Sequence, residues 1–293
     1  MVIKRSLGEK LFDTFNVVFM IALMITTLYP FLYVAFASVS QPSQMIQHQG
    51  ILWGPLGFSL NSYKLVFQNP MILKGYSNTI VYMVTGTVLN VFMTALGAYV
   101  LSRKGVYFRN LIMFITVFTM FFSGGLIPFY LVVRGLGMSD TLWALILPTA
   151  ISTYNLIIMR TAFAGIPDSM EESARIDGAN DFTILFRVII PLAMPVVAVM
   201  ILFYGVGHWN AWFNAMIFLK TREMYPLQLI LREILIASST DNMTTSVASA
   251  DLEPVAETIK YATIMVATVP ILFVYPFLQK YFVQGIMIGA LKG

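Results

Sequence analysis

The chain has no cysteine, only two histidines, and charged side chains at just 11% of its 293 positions. Without cysteine there is no disulfide framework, no Cys-based zinc site and no thiol nucleophile, and the redox compartment leaves no trace. His48 and His208 are far apart in sequence. No H-E-x-x-H, G-x-S-x-G or G-x-x-x-x-G-K-[ST] run occurs, which leaves metal chemistry, acyl transfer and ATP binding without a signature. The net charge of +4 comes with no basic run interleaved with aromatics, so nucleic acid is not indicated. Nothing in the chain reads as an enzyme by itself.

Apolar residues are abundant: 58% of the chain, with a mean hydropathy of +0.78. That leaves too little polar surface to cover a water-soluble domain. Six windows are free of Asp, Glu, Lys and Arg: Thr14–Tyr63, Gly75–Ser102, Asn110–Val133, Thr141–Met159, Val188–Leu219 and Tyr261–Gln279. Each can hold a helix of about 20 residues, the length that crosses a hydrocarbon core of about 30 Å. A β-barrel would show alternating polarity, whereas Val188–Met200 is apolar on every face. The expected fold is an all-α polytopic membrane protein with six transmembrane helices.

Lys4, Arg5 and Lys10 precede an apolar run that ends in Ala35-Phe36-Ala37-Ser38, superficially like a signal peptide. From Phe15 to Phe36 the run is too long for a signal core and reads as an uncleaved first helix. With the N-terminus inside, the inner basic residues are Lys4, Arg5, Lys10, Arg103, Lys104, Arg109, Arg160, Arg175, Arg187, Lys280 and Lys292. The outer ones are Lys64, Lys74, Arg134, Lys220, Arg222, Arg232 and Lys260. This bias places both termini in the cytoplasm.

Pro30, Pro128, Pro148, Pro195, Pro270 and Pro276 punctuate the spans, as do Gly86, Gly97, Gly124, Gly125, Gly205 and Gly207. Such residues kink membrane helices or let them approach closely. The alternative reading, an ion-coupled secondary transporter of a small polar solute, calls for ionisable groups inside the spans, and no Asp, Glu, Lys or Arg sits there. If the protein moves a solute, its energy arrives through a partner. The place for that contact is the loop at 162–190. Ser169 followed by Glu172 has the form of a capping box, which predicts a helix starting at Met170. Gly178 ends that helix in a position suited to positive φ. Asn180 or Asp181 then caps a second helix, with Phe182, Leu185, Phe186 and Ile189 spaced as one apolar stripe.

Within this loop Glu172-Ser173-Ala174, Asp177-Gly178-Ala179 and Ile190-Pro191-Leu192 resemble the EAA loop of binding-protein-dependent ABC importers, with Ser173 and Ile190 as small departures from its pattern. Ser123-Gly124-Gly125-Leu126-Ile127-Pro128, Trp209-Asn210 and the ending Gly289-Ala290-Leu291-Lys292-Gly293 are similar to the carbohydrate-type, MalG-like permeases. The resemblance implies one transmembrane permease domain over 1–293 with the type I importer fold, in a bacterial cytoplasmic (inner) membrane. It implies a second permease subunit, usually forming a heterodimer, two cytoplasmic ABC ATPases and an external substrate-binding protein, with lipid around the spans. No cofactor is expected in this chain, since ATP and Mg belong to the ATPase. Glu171, Glu172, Ser173, Ala174, Asp177, Gly178 and Ala179 are the expected ATPase-coupling residues, and a tail at 280–293 is expected to reach the ATPase dimer interface.

For the substrate path, Asn210 and Asn214 are expected one turn apart on a helix face with Trp209 and Phe213 alongside, amides for hydroxyls and rings for sugar faces. Tyr154 and Asn155 are further candidates, then Asn90. The outer segment at 38–74 has turn signals at Trp53-Gly54-Pro55 and Asn69-Pro70. The polar run 238–249 reads as a flexible outer loop facing the binding protein.

Overall fold

In a computed structural model of the chain, the structure describes residues 6–244, 258–273 and Pro276, and every regular element among them is helical. The expected tail at 280–293, its closing Gly-Ala-Leu-Lys-Gly run and the end of the sixth window lie outside the described residues.

Two windows form continuous helices. Helix α1 (Leu7–Ser38) starts at a capping box in which Ser6 Oγ accepts from the Glu9 amide and the Glu9 carboxylate accepts from the Ser6 amide. Its most apolar stretch has no buried residue, as a helix facing lipid or another subunit requires. Short helices α2 (Pro42–Gln47) and α3 (Asn61–Gln68) follow, then α4 (Pro70–Ser102), 33 residues long. Among the described residues α1 and α4 are the two helices long and apolar enough to cross a membrane, and up to four spans result if each of two bent pairs counts as one.

The third, fourth and fifth windows are broken where single helices were expected. Helices α5 (Arg109–Phe121) and α6 (Leu126–Gly135) meet at 116° across a break closed by Gly125 at φ +83. In the fourth window α7 (Trp143–Ile146) runs into a 3-10 turn at Leu147–Thr149, because Pro148 has no N–H to continue the ladder. The chain restarts as α8 (Thr153–Ala164), where Ser152 caps the Asn155 amide at 3.5 Å. Beyond α9 (Asp168–Ile176) and α10 (Asp181–Ile184) a π-helical segment at Leu185–Ile189 leads to α11 (Ile190–Leu192). Helix α12 (Met194–Trp209) then turns away at 89°. The chain continues in α13 (Phe213–Phe218), α14 (Leu227–Thr244) and α15 (Thr258–Phe273). Helix α14 carries the helix into the polar run at 238–249 as far as Thr244, where sequence suggested only loop.

The chain divides into two compact units. One draws on the described residues up to Pro70 and on those between 231 and 268; it packs Ala37, Met45 and Leu52 with Tyr33, Phe36 and Tyr261. There the Leu52 amide donates to Tyr29 Oη at 2.9 Å, and Ser62 Oγ donates to Thr258 Oγ1 at 2.8 Å.

The other unit, 71–230 with the described residues from Val269, is organised by α4. One face of that helix carries Gly75, Thr79, Tyr82, Gly86, Asn90 and Thr94, all buried and spaced by three or four residues. A polar seam thus runs down an apolar helix, and each group on it has a partner. Tyr82 Oη donates to Met224 O at 2.7 Å, Thr79 Oγ1 accepts from the Leu227 amide at 2.8 Å, and Asn78 Nδ2 donates to Glu223 O and Tyr225 O. Gly75 leaves room for the 227–230 turn: a Cβ there would meet Leu227 Cα at 3.1 Å. Toward the other end, Ala95, Ala98 and Leu101 join Leu156, Met159, Phe163, Ile184, Leu185 and Ile189 in the main core.

Before α7, Asp140 adopts the left-handed region at φ 59. Its carboxylate accepts from the Lys220 and Thr221 amides and from Thr221 Oγ1 at 2.7–2.9 Å. The Thr221 hydroxyl and these amides hold the carboxyl below its ordinary value.

Candidate functional site

The loop at 162–190 leaves α8 through Gly165 and starts its own helix at Pro167, which stands at the N-cap. This corrects the expected capping box: the helix begins at Asp168, two residues early, and no side chain caps it. Proline pre-sets the helical φ, so Ser169 falls inside the first turn. Asp168 stands at the positive end of the helix and pairs with Lys104 Nζ at 2.7 Å, which holds its carboxyl below the ordinary value.

Glu171 and Glu172 point to different sides. Glu171 is 9% exposed and forms an ion pair with Arg103 just past the end of α4. It also accepts from Arg175 Nη2 at 2.8 Å and from Tyr99 Oη at 3.4 Å. Arg103 donates further to Phe163 O at 3.2 Å, and its guanidinium lies 5.0 Å from the centre of the Tyr99 ring. Arg175 adds a second ion pair, to Asp181 at the start of α10, and these two carboxylates raise its already high pKa. The end of α4, α8, α9 and α10 are therefore held around one carboxylate. Four helices meet around Glu171.

Glu172, Ser173, Asp177 and Gly178 are exposed, with Met170 and Ile176 beside them. Ile176 is 86% exposed, an apolar group left uncovered at the C-terminal end of α9. Ala174 and Ala179 are partly covered and pack toward the core. Gly178 takes φ +83, as its place in the sequence led us to expect, and no atom stands within 4 Å of where its Cβ would be. Asn180 is the cap of the next helix, its Oδ1 accepting from the Thr183 amide at 2.8 Å. The expected stripe does not form as one face: Leu185 and Ile189 are buried with Ile184, while Phe182 is 64% exposed and Phe186 stacks outside on Phe92. The π segment begins at Leu185 and interrupts the α-helical register that one continuous stripe requires.

The expected substrate residues separate. Helix α12 ends at Trp209, Asn210 becomes its C-cap, and α13 restarts at Phe213, so Asn210 and Asn214 do not share a face. Asparagine terminates helices more readily than it extends them. Trp209 is buried with its ring 6.2 Å from that of Tyr76, and Asn210 and Tyr154 are exposed. Asn155 and Asn214 do come together, in a cavity of about 390 Å³ that Tyr82, Ser152, Tyr204 and His208 also line. Asn90 stands behind it: its Nδ2 donates to Thr149 O at 2.6 Å and Ala150 O at 2.8 Å, the carbonyls left at the end of the 3-10 turn where the helix stops. His208 was not singled out from the sequence. A histidine in a charge-free window, on the helix that packs against the seam of α4, was the available signal.

Broken apolar helices and an anchored loop that leaves a carboxylate and an isoleucine outward are features that fit the class of membrane transport permeases. Residues 93–288 match the family of binding-protein-dependent transport system inner membrane components, and the chain belongs to that family. It is 42% identical over 97% of its length to the polygalacturonan/rhamnogalacturonan transport system permease protein YtcP of Bacillus subtilis, covering 99% of that protein. It is 41% identical to Protein LplC of the same organism, over 97% of this chain and 96% of that one. Its structure is similar to that of a bacterial ABC transporter involved in the import of the acidic polysaccharide alginate, with a TM-score of 0.86, 33% identity, and 95% and 99% of the two chains covered. The chain is thus the non-catalytic permease subunit of an inner-membrane ABC importer, and such an importer includes an ATPase and a binding protein.

Proposed function

We propose that the chain forms half of a translocation path for an oligosaccharide, and that its solute is acidic, a uronate-containing oligomer. The relatives named for polygalacturonan and alginate support this choice of solute. In this reading 1–293 acts as one permease domain with six spans and both termini in the cytoplasm. A second permease completes the path, two ATPases bind on the cytoplasmic side, and the binding protein delivers solute from outside. The loop at 162–190 is the ATPase-coupling element, with the tail at 280–293 reaching toward the ATPase dimer.

The observation that carries the coupling role is the opposed pair of carboxylates on α9. Glu171 ties the helix to Arg103, while Glu172, Ser173, Ile176 and Asp177 are left outward for a partner surface. A helix docked outward and pinned inward passes displacement to α4 instead of bending away. Asp177, Gly178 and Ala179 set the turn that holds this geometry. For the solute path the reading retains Asn155 and Asn214 and sets aside Trp209, Asn210 and Tyr154, which the cavity does not include.

The test is purification of the complex in mild detergent followed by reconstitution with its ATPase and binding protein. Co-purification of an ATPase and a second permease, with ATP-dependent uptake of a galacturonate trimer, is the expected result. Uptake driven by a proton or sodium gradient without an ATPase would overturn it.

A further inference from the structure

The cavity at Asn155 contains two polar groups with no partner of their own. Asn90 spends both amide protons on Thr149 O and Ala150 O, so the atom it presents to His208 Nε2, at 2.6 Å, is Oδ1. Oδ1 can only accept, which places a proton on Nε2 and leaves Nδ1 of the neutral ring as an acceptor. Gly86 makes room for that ring. A Cβ at position 86 would lie 2.6 Å from His208 Cε1, so the imidazole rests on bare backbone.

Among the described residues neither His208 Nδ1 nor the carboxamide of Asn155 makes a hydrogen bond. Asn155 is 5% exposed, and such a group without a partner is costly unless something polar reaches it. Neither group is among the unpartnered side-chain atoms sealed off from solvent, which are His48 Nε2, Thr87 Oγ1, Ser139 Oγ and Thr263 Oγ1. Both face the cavity they line. By contrast Tyr204 Oη, on the same wall, is occupied by Thr94 Oγ1 at 2.7 Å and the Ser152 amide at 3.0 Å. No Asp, Glu, Lys or Arg lines the space.

We propose that this cavity is a subsite for the hydroxyl edge of one sugar residue. His208 Nδ1 accepts a hydroxyl proton, and the Asn155 carboxamide, donor and acceptor at once, bonds the same hydroxyl or its neighbour. The subsite rests on the reading of the chain as an oligosaccharide permease. Its volume of about 390 Å³ is in the range of small-ligand pockets, at the end that suits a single ring. An uncharged lining with one acceptor and one amide selects hydroxyls and gives a carboxylate no counter-charge. Hydroxyl recognition, not charge, is what this subunit contributes to selectivity.

The test uses the reconstituted importer with its ATPase and binding protein and a radiolabelled galacturonate trimer. In His208→Gln the side-chain amide can still donate to Asn90 Oδ1, but the Nδ1 acceptor is gone. In Asn155→Leu the volume is nearly kept and the amide lost. Each should lower uptake at subsaturating trimer about tenfold, the worth of one hydrogen bond, with ATPase retention and basal hydrolysis at the parental level. His208→Asn keeps a polar atom near the Nδ1 position while losing the link to Asn90, and should retain more uptake than His208→Gln. Parental uptake in both His208→Gln and Asn155→Leu overturns the subsite and leaves His208 a packing residue on Gly86. Should His208→Gln fail to assemble, Asn155→Leu decides alone. A parent complex that takes up none of the galacturonate, arabinose or maltodextrin trimers overturns the oligosaccharide reading, and the subsite with it.

Discussion

Replacing Glu171 by glutamine separates the anchoring of the coupling loop from its docking. The change keeps the shape of the side chain and removes its charge, so the Arg103 guanidinium loses its counter-ion and meets an amide that can donate as well as accept. Both partners are mostly covered, with side-chain exposures of 15% for Arg103 and 12% for Glu171. Removing one member of a buried pair costs about 3–5 kcal/mol, and this residual exposure puts the pair at the low end, about 3 kcal/mol. The Arg175 contact adds little because that side chain is 51% exposed and retains Asp181. About 3 kcal/mol is a factor of roughly 150 in a local opening equilibrium. Amide hydrogen exchange across 168–176 in the purified complex should accelerate by about two orders of magnitude, and substrate-stimulated ATP hydrolysis should fall toward the basal rate. The ATPase should stay bound, because the outward residues are untouched. Lys104→Ala breaks only the solvent-exposed pair with Asp168 and should change neither readout. Parental exchange across α9 in Glu171→Gln would refute the argument that this carboxylate holds the loop to α4.

Gly178→Asp places an L-residue at φ +83 at a cost of about 1–2 kcal/mol, and with no neighbour to clash the cost is backbone strain alone. The variant should reach the membrane yet lose substrate-stimulated hydrolysis, checked beside the amount of ATPase that co-purifies. Gly75→Ala should lower the thermal stability of the complex by about 1–3 kcal/mol, since the new Cβ meets the backbone of Leu227, and circular dichroism melting reads it. Asp140 is held below its ordinary value of 3.8 by the Thr221 hydroxyl and the 220–221 amides. Its contribution is therefore complete above that value and is lost as pH falls through the depressed folded value. The melting difference between parent and Asp140→Ala should be present at pH 6 and shrink below pH 3.8.

Of the limits of α1 and α4, only the end of α4 could be read from charge: the second window ends at Ser102, and so does the helix, whereas both helices begin before their windows and α1 stops at Ser38, well inside its own. The breaks in the other windows could not, because an apolar stretch has the same composition whether straight or bent. Pro148 and Gly125 marked possible bends, but only tertiary partners, such as the Asn90 amide on the freed carbonyls, settle which of them occur. Gly178 and Asn180 were legible because turn chemistry is local. The opposite fates of Glu171 and Glu172 were not, because they depend on Arg103, 68 residues away. The seam of α4 was open to sequence reasoning through its spacing of three and four. It was overlooked because threonine, tyrosine and glycine look ordinary one at a time.

Adjacent glutamates facing opposite ways put the loop under a constraint of phase. Consecutive residues of an α-helix are turned by about 100°. A single residue lost between Pro167 and Glu171 would swing Glu172 in against Arg103 and leave Ser173 standing outward in its place. A single residue gained would offer Met170 to the guanidinium and send Glu171 outside. Substitutions can accumulate on the outward positions as a partner surface drifts. The spacing from Pro167 to Glu171 cannot drift with them, so among diverging descendants of this chain that four-residue step should tolerate changes of letter and reject changes of length.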